Sequence, residues 1–227
     1  MFDSRLRRGS ALLGLALLAL VQACGAADTP TSLPAPAMDI PPAAAGKGPQ
    51  TVVFAGGCFW GVEAVFRHVK GVSAAVSGYA GGAAKTADYE MVSAGTTGHA
   101  EAVEIVYDPR KVTYARLLEV FWRNIDPLTA NAQFCDAGSQ YRAAIFVHDA
   151  TERRLAEASK EAAGQRLQKP IVTEITAASQ FWPAEEYHQD YYKKNPIRYK
   201  LYRTSCGRDR RLEAVWGPDA KGRAGTR

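Results

Sequence analysis

Residues 51–63 read Thr51-Val52-Val53-Phe54-Ala55-Gly56-Gly57-Cys58-Phe59-Trp60-Gly61-Val62-Glu63, and Val65, Phe66 and Val69 follow. The first five form a short apolar, β-branched run, the paired glycines a turn, and Val62, Val65, Phe66 and Val69 recur at helical spacing. The stretch predicts strand, tight turn, helix, with Cys58 at the start of the helix. A cysteine there meets free backbone N–H groups and the positive end of the helix dipole, which favour the thiolate and predict a lowered pKa. A buried, inert cysteine is the competing reading.

Ala74–Tyr79 and Glu101–Tyr107 are further strand candidates, the second with Val103, Ile105 and Tyr107 on one face and Pro109 beyond its end. A glycine-rich loop region lies between them. Thr113 is a predicted N-cap for a helix with an apolar stripe of Leu117, Leu118, Phe121, Trp122 and Ile125, stopped by Asp126-Pro127. Ala143–Val147 reads as a buried strand, Thr151–Gln168 as a helix, Ile171–Ile175 as a strand, and Ala184–Lys194 as a helix ended by Asn195-Pro196. Strands and helices mix without strict βαβ alternation, so the class is α+β.

The chain has 227 residues, 47% hydrophobic and 22% charged, with a net charge of +5. That composition fits one ordinary folded domain and excludes a collagenous or fully disordered chain. Residues 1–23 hold Arg5, Arg7 and Arg8, an apolar run from Ala11 to Val21 and then small residues, the layout of a secretory signal; the run is short for a membrane span. Val21-Gln22-Ala23-Cys24 resembles a bacterial lipobox, so lipidation of Cys24 and a periplasmic, membrane-anchored location are expected. Cleavage near Ala23 or Ala27 without a lipid is the alternative.

Residues 24–50, with six prolines and no aromatic residue, read as a semi-extended tether. The folded domain is placed at 51–216, and 217–227 is read as a basic C-terminal tail. Removing residues 1–23, with three arginines and one aspartate, takes the charge from +5 to +3, which is no footprint for nucleic acid. The last 25 residues carry seven Lys/Arg against three acids and read as a solvated basic face.

Cys24, Cys58, Cys135 and Cys206 are too few for a disulfide-dense scaffold and contain no C-x-x-C pair. His68, His99, His148 and His188 are scattered, so no metal site is expected. Tyr187, Tyr191, Tyr192, Tyr199 and Tyr202 could suggest a stacking platform, but the helical spacing of Tyr187 and Tyr191 favours packing.

Gly57–Glu63 resembles the active-site signature of the type A peptide-methionine sulfoxide reductases. Gly78–Gly82, Tyr89, Thr97–Val103, Tyr107-Asp108-Pro109, Gly138–Arg142 and Phe181–Gln189 follow in that family's order, so the likeness covers about Thr51 to Pro196. It implies a central mixed sheet flanked by helices, with a ferredoxin-like α/β plait at its core. It also implies reduction of the S-epimer of methionine sulfoxide, free or in proteins, by a monomer with no metal or organic cofactor, recycled by a thioredoxin-like dithiol.

Residue by residue, Cys58 matches the nucleophile, which becomes a sulfenic acid, and Glu101 the acid, where desolvation would keep it protonated near neutrality. Tyr89 and Tyr141 match the phenols that bond the sulfoxide oxygen, Asp136 a carboxylate of the same polar network, and Phe59 and Trp60 the apolar pocket for the S-methyl group. Turnover needs a second thiol. Cys206 is the first candidate, although nine residues, Ile197–Ser205, separate it from Lys194-Asn195-Pro196, after which the family's recycling cysteine commonly comes almost at once. Cys135 is its rival because it adjoins Asp136 and should therefore lie near the active site; Phe134-Cys135 replaces the customary Gly-polar pair and Ile125 the usual histidine, departures that bear on the recycling route. A thiol–disulfide exchanger using Cys58 with either cysteine, or a non-catalytic surface lipoprotein, are the readings outside the family.

Overall fold

Residues 48–217 and 220 are described by the computed structural model of the chain. Cys24, the signal, the tether up to residue 47 and most of the C-terminal tail lie outside them. β1 (Gln50–Gly56) runs into α1 (Phe59–Phe66), with β2 (Val72–Ala80) and β3 (Ala100–Tyr107) after it; the short α2 (Tyr89–Ser93) lies between those two strands. α3 (Tyr114–Arg123) leads to the two-residue strands β4 (Ala132–Gln133) and β5 (Asp136–Ala137), then to β6 (Ala143–Val147) and α4 (Ala150–Leu167). β7 (Glu174–Ala177), β8 (Trp182–Pro183), α5 (Tyr191–Lys194), α6 (Pro196–Ser205) and α7 (Arg208–Trp216) complete the described chain.

Six strands form one sheet in the order β7-β6-β1-β3-β2-β8, antiparallel except for the parallel β6–β7 pair. Its centre, β6-β1-β3-β2 with α1 and α3 as crossovers, is the α/β plait. Alternation along β1 decides the faces. Val52 and Phe54 join the main core with Val103, Ile105 and Tyr107, under Val62 and Phe66 of α1 and Leu117, Leu118, Phe121 and Trp122 of α3. Val53 and Ala55 face the other way, into a smaller alanine-rich cluster with Ala100, Ala102, Ala144, Phe146 and Phe181.

Several local expectations meet their physical cause. The Thr113 hydroxyl accepts from the Arg116 N–H and caps α3, and the Asp149 carboxylate accepts from Thr151 and Glu152 and caps α4. Others are corrected. The strand expected at Ile171–Ile175 forms at Glu174–Ala177, where it pairs with Ala144–Val147 of β6. Ala184–Lys194 is not one helix: a single 3-10 turn covers Glu186–His188, and α5 begins only at Tyr191.

Long-range hydrogen bonds break that segment. The Gln189 amide accepts from the Ser77 N–H and donates to the Ser77 carbonyl, and Asp190, at φ +50°, donates its N–H to Glu63 at 2.8 Å. Tyr191 consequently packs against Trp60 while Tyr187 is 58% exposed, so helical spacing was the wrong ground for treating the two alike. The basic C-terminal stretch is not a solvated face over its described part. Arg203 pairs with Asp209, Arg211 with Asp126, and Arg208, Leu212 and Trp216 are buried.

Candidate active site

Cys58 stands at the N-cap of α1 because Gly56-Gly57 turns the chain sharply out of β1. Gly57 has φ +82°, and a Cβ there would sit 2.5 Å from the Gln133 Cβ, so only glycine fits. Glu101, at the start of β3, is 2% exposed, and its Oε2 accepts the Phe59 N–H at 3.0 Å. Burial raises its carboxyl pKa to about 8; the Phe59 N–H opposes that shift and Asp136 adds to it. Glu101 is therefore mostly protonated at neutral pH. With Oε2 engaged as an acceptor, its proton belongs on Oε1.

The Cys58 thiol is pushed up, not down, which corrects the expectation drawn from the helix N-terminus. Burial is the largest cause and the Glu101 charge the next; the Tyr202 hydroxyl lowers it, Asp136 raises it, and the Trp60 N–H lowers it. One short helix end does not outweigh the loss of water around a sulfur that is 8% exposed. The resting group is the thiol.

Tyr202 and Asp136 can form a route for its proton: the Tyr202 hydroxyl on α6 donates to Asp136 Oδ2, and both groups act on Cys58. Burial raises the Asp136 pKa, against the Tyr202 hydrogen bond and the Arg208 charge. Tyr89 and Tyr141 are half-buried phenols whose pKa values are raised by burial first and then by Glu101, with Cys58 and Asp136 also contributing. The structure thus brings Cys58, Glu101, Asp136, Tyr89 and Tyr141 into one electrostatic neighbourhood. Cys24 lies outside the described residues.

The two aromatic residues after Cys58 diverge. Phe59 is 1% exposed and packs into the core against Tyr79 and His188. Trp60 is half-buried, stacks on Tyr191 at 3.7 Å and 5°, meets Tyr202 edge-on, and donates its indole N–H to His188 Nδ1 at 3.0 Å. Glu185 fixes the neighbouring wall, accepting from the Tyr89 N–H at 2.9 Å and the Tyr79 hydroxyl at 2.8 Å.

Cys135 and Cys206 are joined in a disulfide with their Cα atoms 4.9 Å apart, while Cys58 is free. Phe134 and Cys135 form the two-residue loop of the β4–β5 hairpin, with Phe134 at φ +58°. The Arg208 guanidinium covers the Phe134 ring at 4.4 Å, so each half of this pair flanks one of the bonded cysteines. The Cys206 sulfur also lies 3.9 Å from Asp136 Oδ2, the atom that receives the Tyr202 hydroxyl. Instead of choosing between the two rival thiols, the fold places both beside Cys58's proton route.

Tyr202, His188, Glu185 and Arg208 were not among the residues singled out for chemistry. Tyr202 carried one legible signal, its position four residues before Cys206, one helical turn away on the same face. Glu185 and His188 fall inside the Phe181–Gln189 stretch but were not given roles, and Arg208 acts through contacts across 84 residues that leave no local trace.

Comparison with known proteins agrees with this geometry. The sequence family described as "Peptide methionine sulfoxide reductase" matches residues 50–220. The chain is 47% identical over 172 residues to peptide methionine sulfoxide reductase MsrA 2 of Rhizobium meliloti, covering 76% of this chain and 86% of that protein. It is 46% identical over 170 residues to MsrA of Bacillus licheniformis, covering 74% of this chain and 94% of the relative. Among solved structures, reduced Mxr1 from Saccharomyces cerevisiae superposes with a TM-score of 0.64 at 33% identity, over 66% of this chain and 87% of that one. Methionine sulfoxide reductase A of Corynebacterium diphtheriae does so with a TM-score of 0.60 at 32% identity, over 67% and 78%. With the family's match spanning the whole sheet and every helix that lines the site, the chain belongs to the peptide methionine sulfoxide reductases of type A.

Proposed function

We propose that the protein reduces the S-epimer of methionine sulfoxide, free or in proteins, to methionine, with Cys58 as nucleophile and Glu101 as general acid. The observation that carries this reading is the buried, protonated Glu101 held against the first N–H of the helix that Cys58 caps. Sulfoxide reduction by a thiol needs a proton delivered to the oxygen as sulfur attacks sulfur. A buried acid of pKa about 8 carries that proton at neutral pH.

The steps balance. The sulfoxide oxygen lies among Glu101, Tyr89 and Tyr141, and the S-methyl group packs on Trp60. Cys58 attacks the sulfoxide sulfur, its thiol proton passing through Tyr202 to Asp136, while Glu101 protonates the oxygen. The new Cys58–substrate sulfur bond and the S–O bond both break as the hydroxyl moves to Cys58, and two electrons from the Cys58 sulfur reduce the substrate to the thioether. Cys58 is left as a sulfenic acid. With oxygen, methyl group and attacking sulfur each assigned a place, the mirror-image sulfur would exchange its methyl group and side chain, so one epimer fits.

The Cys206 thiol then attacks the sulfenic acid, forming an S–S bond and releasing water. Cys135 attacks Cys206, Cys58 leaves as a thiol, and the product is the Cys135–Cys206 disulfide. Cys135 is exposed, which suits reduction by an external dithiol of the thioredoxin class. The sequence of residues 1–50 supports export and anchoring through Cys24, with the donor outside the cytoplasm. Incubation with each resolved epimer and dithiothreitol tests the activity: consumption of the S-epimer alone is expected, and consumption of neither contradicts it.

A further inference from the structure

Cys135, Asp136 and Cys206 stand together, with one donor atom from each lying within 4.8 Å of the others. We propose that, once the disulfide is reduced, these three side chains bind one thiophilic divalent cation such as zinc or cadmium. The inference rests on Cys135 and Cys206 returning to thiols in each cycle, and its test starts from chemically reduced protein so that it does not depend on turnover.

Even in the disulfide form the Asp136 carboxylate stands near ligand spacing from each sulfur. Asp136 Oδ1 is 3.7 Å from the Cys135 sulfur and Oδ2 is 3.9 Å from the Cys206 sulfur. Metal–sulfur arms of about 2.3 Å and metal–oxygen arms of about 2.0 Å at a tetrahedral angle put ligand sulfur and oxygen about 3.5 Å apart. The sulfurs must separate to about 3.7 Å, which side-chain rotation on Cα atoms 4.9 Å apart can supply. Binding forms two metal–thiolate bonds and one metal–carboxylate bond, releases two thiol protons to solvent, and changes no oxidation state.

The surroundings favour the ion over the bare thiols. Tyr202 donates to Asp136 Oδ2 and orients the carboxylate, leaving Oδ1 free to turn to a metal. Two thiolates, a carboxylate and a divalent cation sum to one negative charge. The buried Arg208 guanidinium, whose charge already acts on Asp136, neutralises it. Cys135 is exposed, so ions can enter and the fourth position can hold water. Cys135 and Cys206 lie 71 residues apart, which is why ligand spacing along the chain did not reveal the site.

The test is a zinc titration of the full chain, reduced with a phosphine and freed of reductant without oxygen, in competition with a chromophoric chelator; cadmium gives an independent thiolate charge-transfer band. Wild type and Cys58→Ser are expected to bind one ion per chain. Cys135→Ser and Cys206→Ser should bind at least about 100-fold more weakly, and Asp136→Asn at least about 10-fold more weakly. Wild-type protein reoxidised to the Cys135–Cys206 disulfide should bind none, which removes the pair without a substitution. Failure of the reduced wild type to retain metal would overturn the proposal, as would binding lost in Cys58→Ser, kept in Cys135→Ser, or unchanged in Asp136→Asn.

Discussion

The backbone N–H of Phe59 donates to the Glu101 carboxylate at 3.0 Å, joining the helix that Cys58 caps to a strand 42 residues further on. Nucleophile and acid are therefore positioned by one bond between two elements of the plait, from the backbone N–H of the helix to the buried Glu101 side chain on the strand. Because burial raises the Glu101 pKa to about 8, its protonated form is present below that pH and is lost as pH rises through it. The oxygen-transfer rate should fall above about pH 8 in wild type. Glu101→Gln should be slower by about 10²–10⁴-fold, and its rate should no longer fall at that pH. Single-turnover methionine formation across pH 6–10, as a rough span, reads both effects.

In the proposed mechanism Tyr202, which donates to Asp136, carries the Cys58 proton to that carboxylate. Since the thiol is held up by burial, removing that route should cost rate without costing the fold. Tyr202→Phe keeps the edge-on contact with Trp60 and should lower the single-turnover rate by about 100-fold. Asp136, raised by burial, must be ionised to accept the proton, so the wild-type rate should also decline as pH falls through its pKa. Tyr202→Phe should lack that acid limb.

The Cys135–Cys206 disulfide beside a free Cys58 fits the order of thiols proposed above. One equivalent of substrate without reductant should leave wild-type protein with this disulfide and an alkylatable Cys58, as peptide mapping would read. Cys206→Ser should form one methionine per chain and stall with a protein dithiol donor. Cys135→Ser should accumulate a Cys58–Cys206 disulfide instead. Normal recycling of Cys206→Ser would remove Cys206 from the route.

Gly78 tests the wall that carries Glu185. A Cβ at Gly78 would fall 2.3 Å from the Trp182 carbonyl oxygen and 2.3 Å from the Phe181 ring, and backbone cannot yield as a flexible side chain can. Gly78→Ala should push β8 off β2 and destabilise the fold by about 1–3 kcal/mol. Denaturant unfolding measures it; an unchanged midpoint would contradict this packing.

Several elements of the plait could be read before the structure because their signals are local: the β-branched run and glycine turn before Cys58, the Thr113 cap, and the alternation along β3; the plait itself is implied only by the family resemblance. What could not be read is tertiary. Gln189 and Asp190 break an otherwise helical segment only because Ser77 and Glu63 claim them. The helix-end argument for a lowered Cys58 pKa fails because the surrounding layers take its water away. Cys135 and Cys206 pair across 71 residues, with nothing in their flanking sequence to announce it.

The central claim is that oxygen passes from the substrate sulfur to Cys58. Its most direct test is to give the Cys206→Ser variant one equivalent of the S-epimer without reductant, trap sulfenic acid with dimedone, and locate the adduct by mass spectrometry. The account predicts about one methionine per chain and the adduct on Cys58. Methionine formed with the adduct on Cys135, or with none on Cys58, would contradict it.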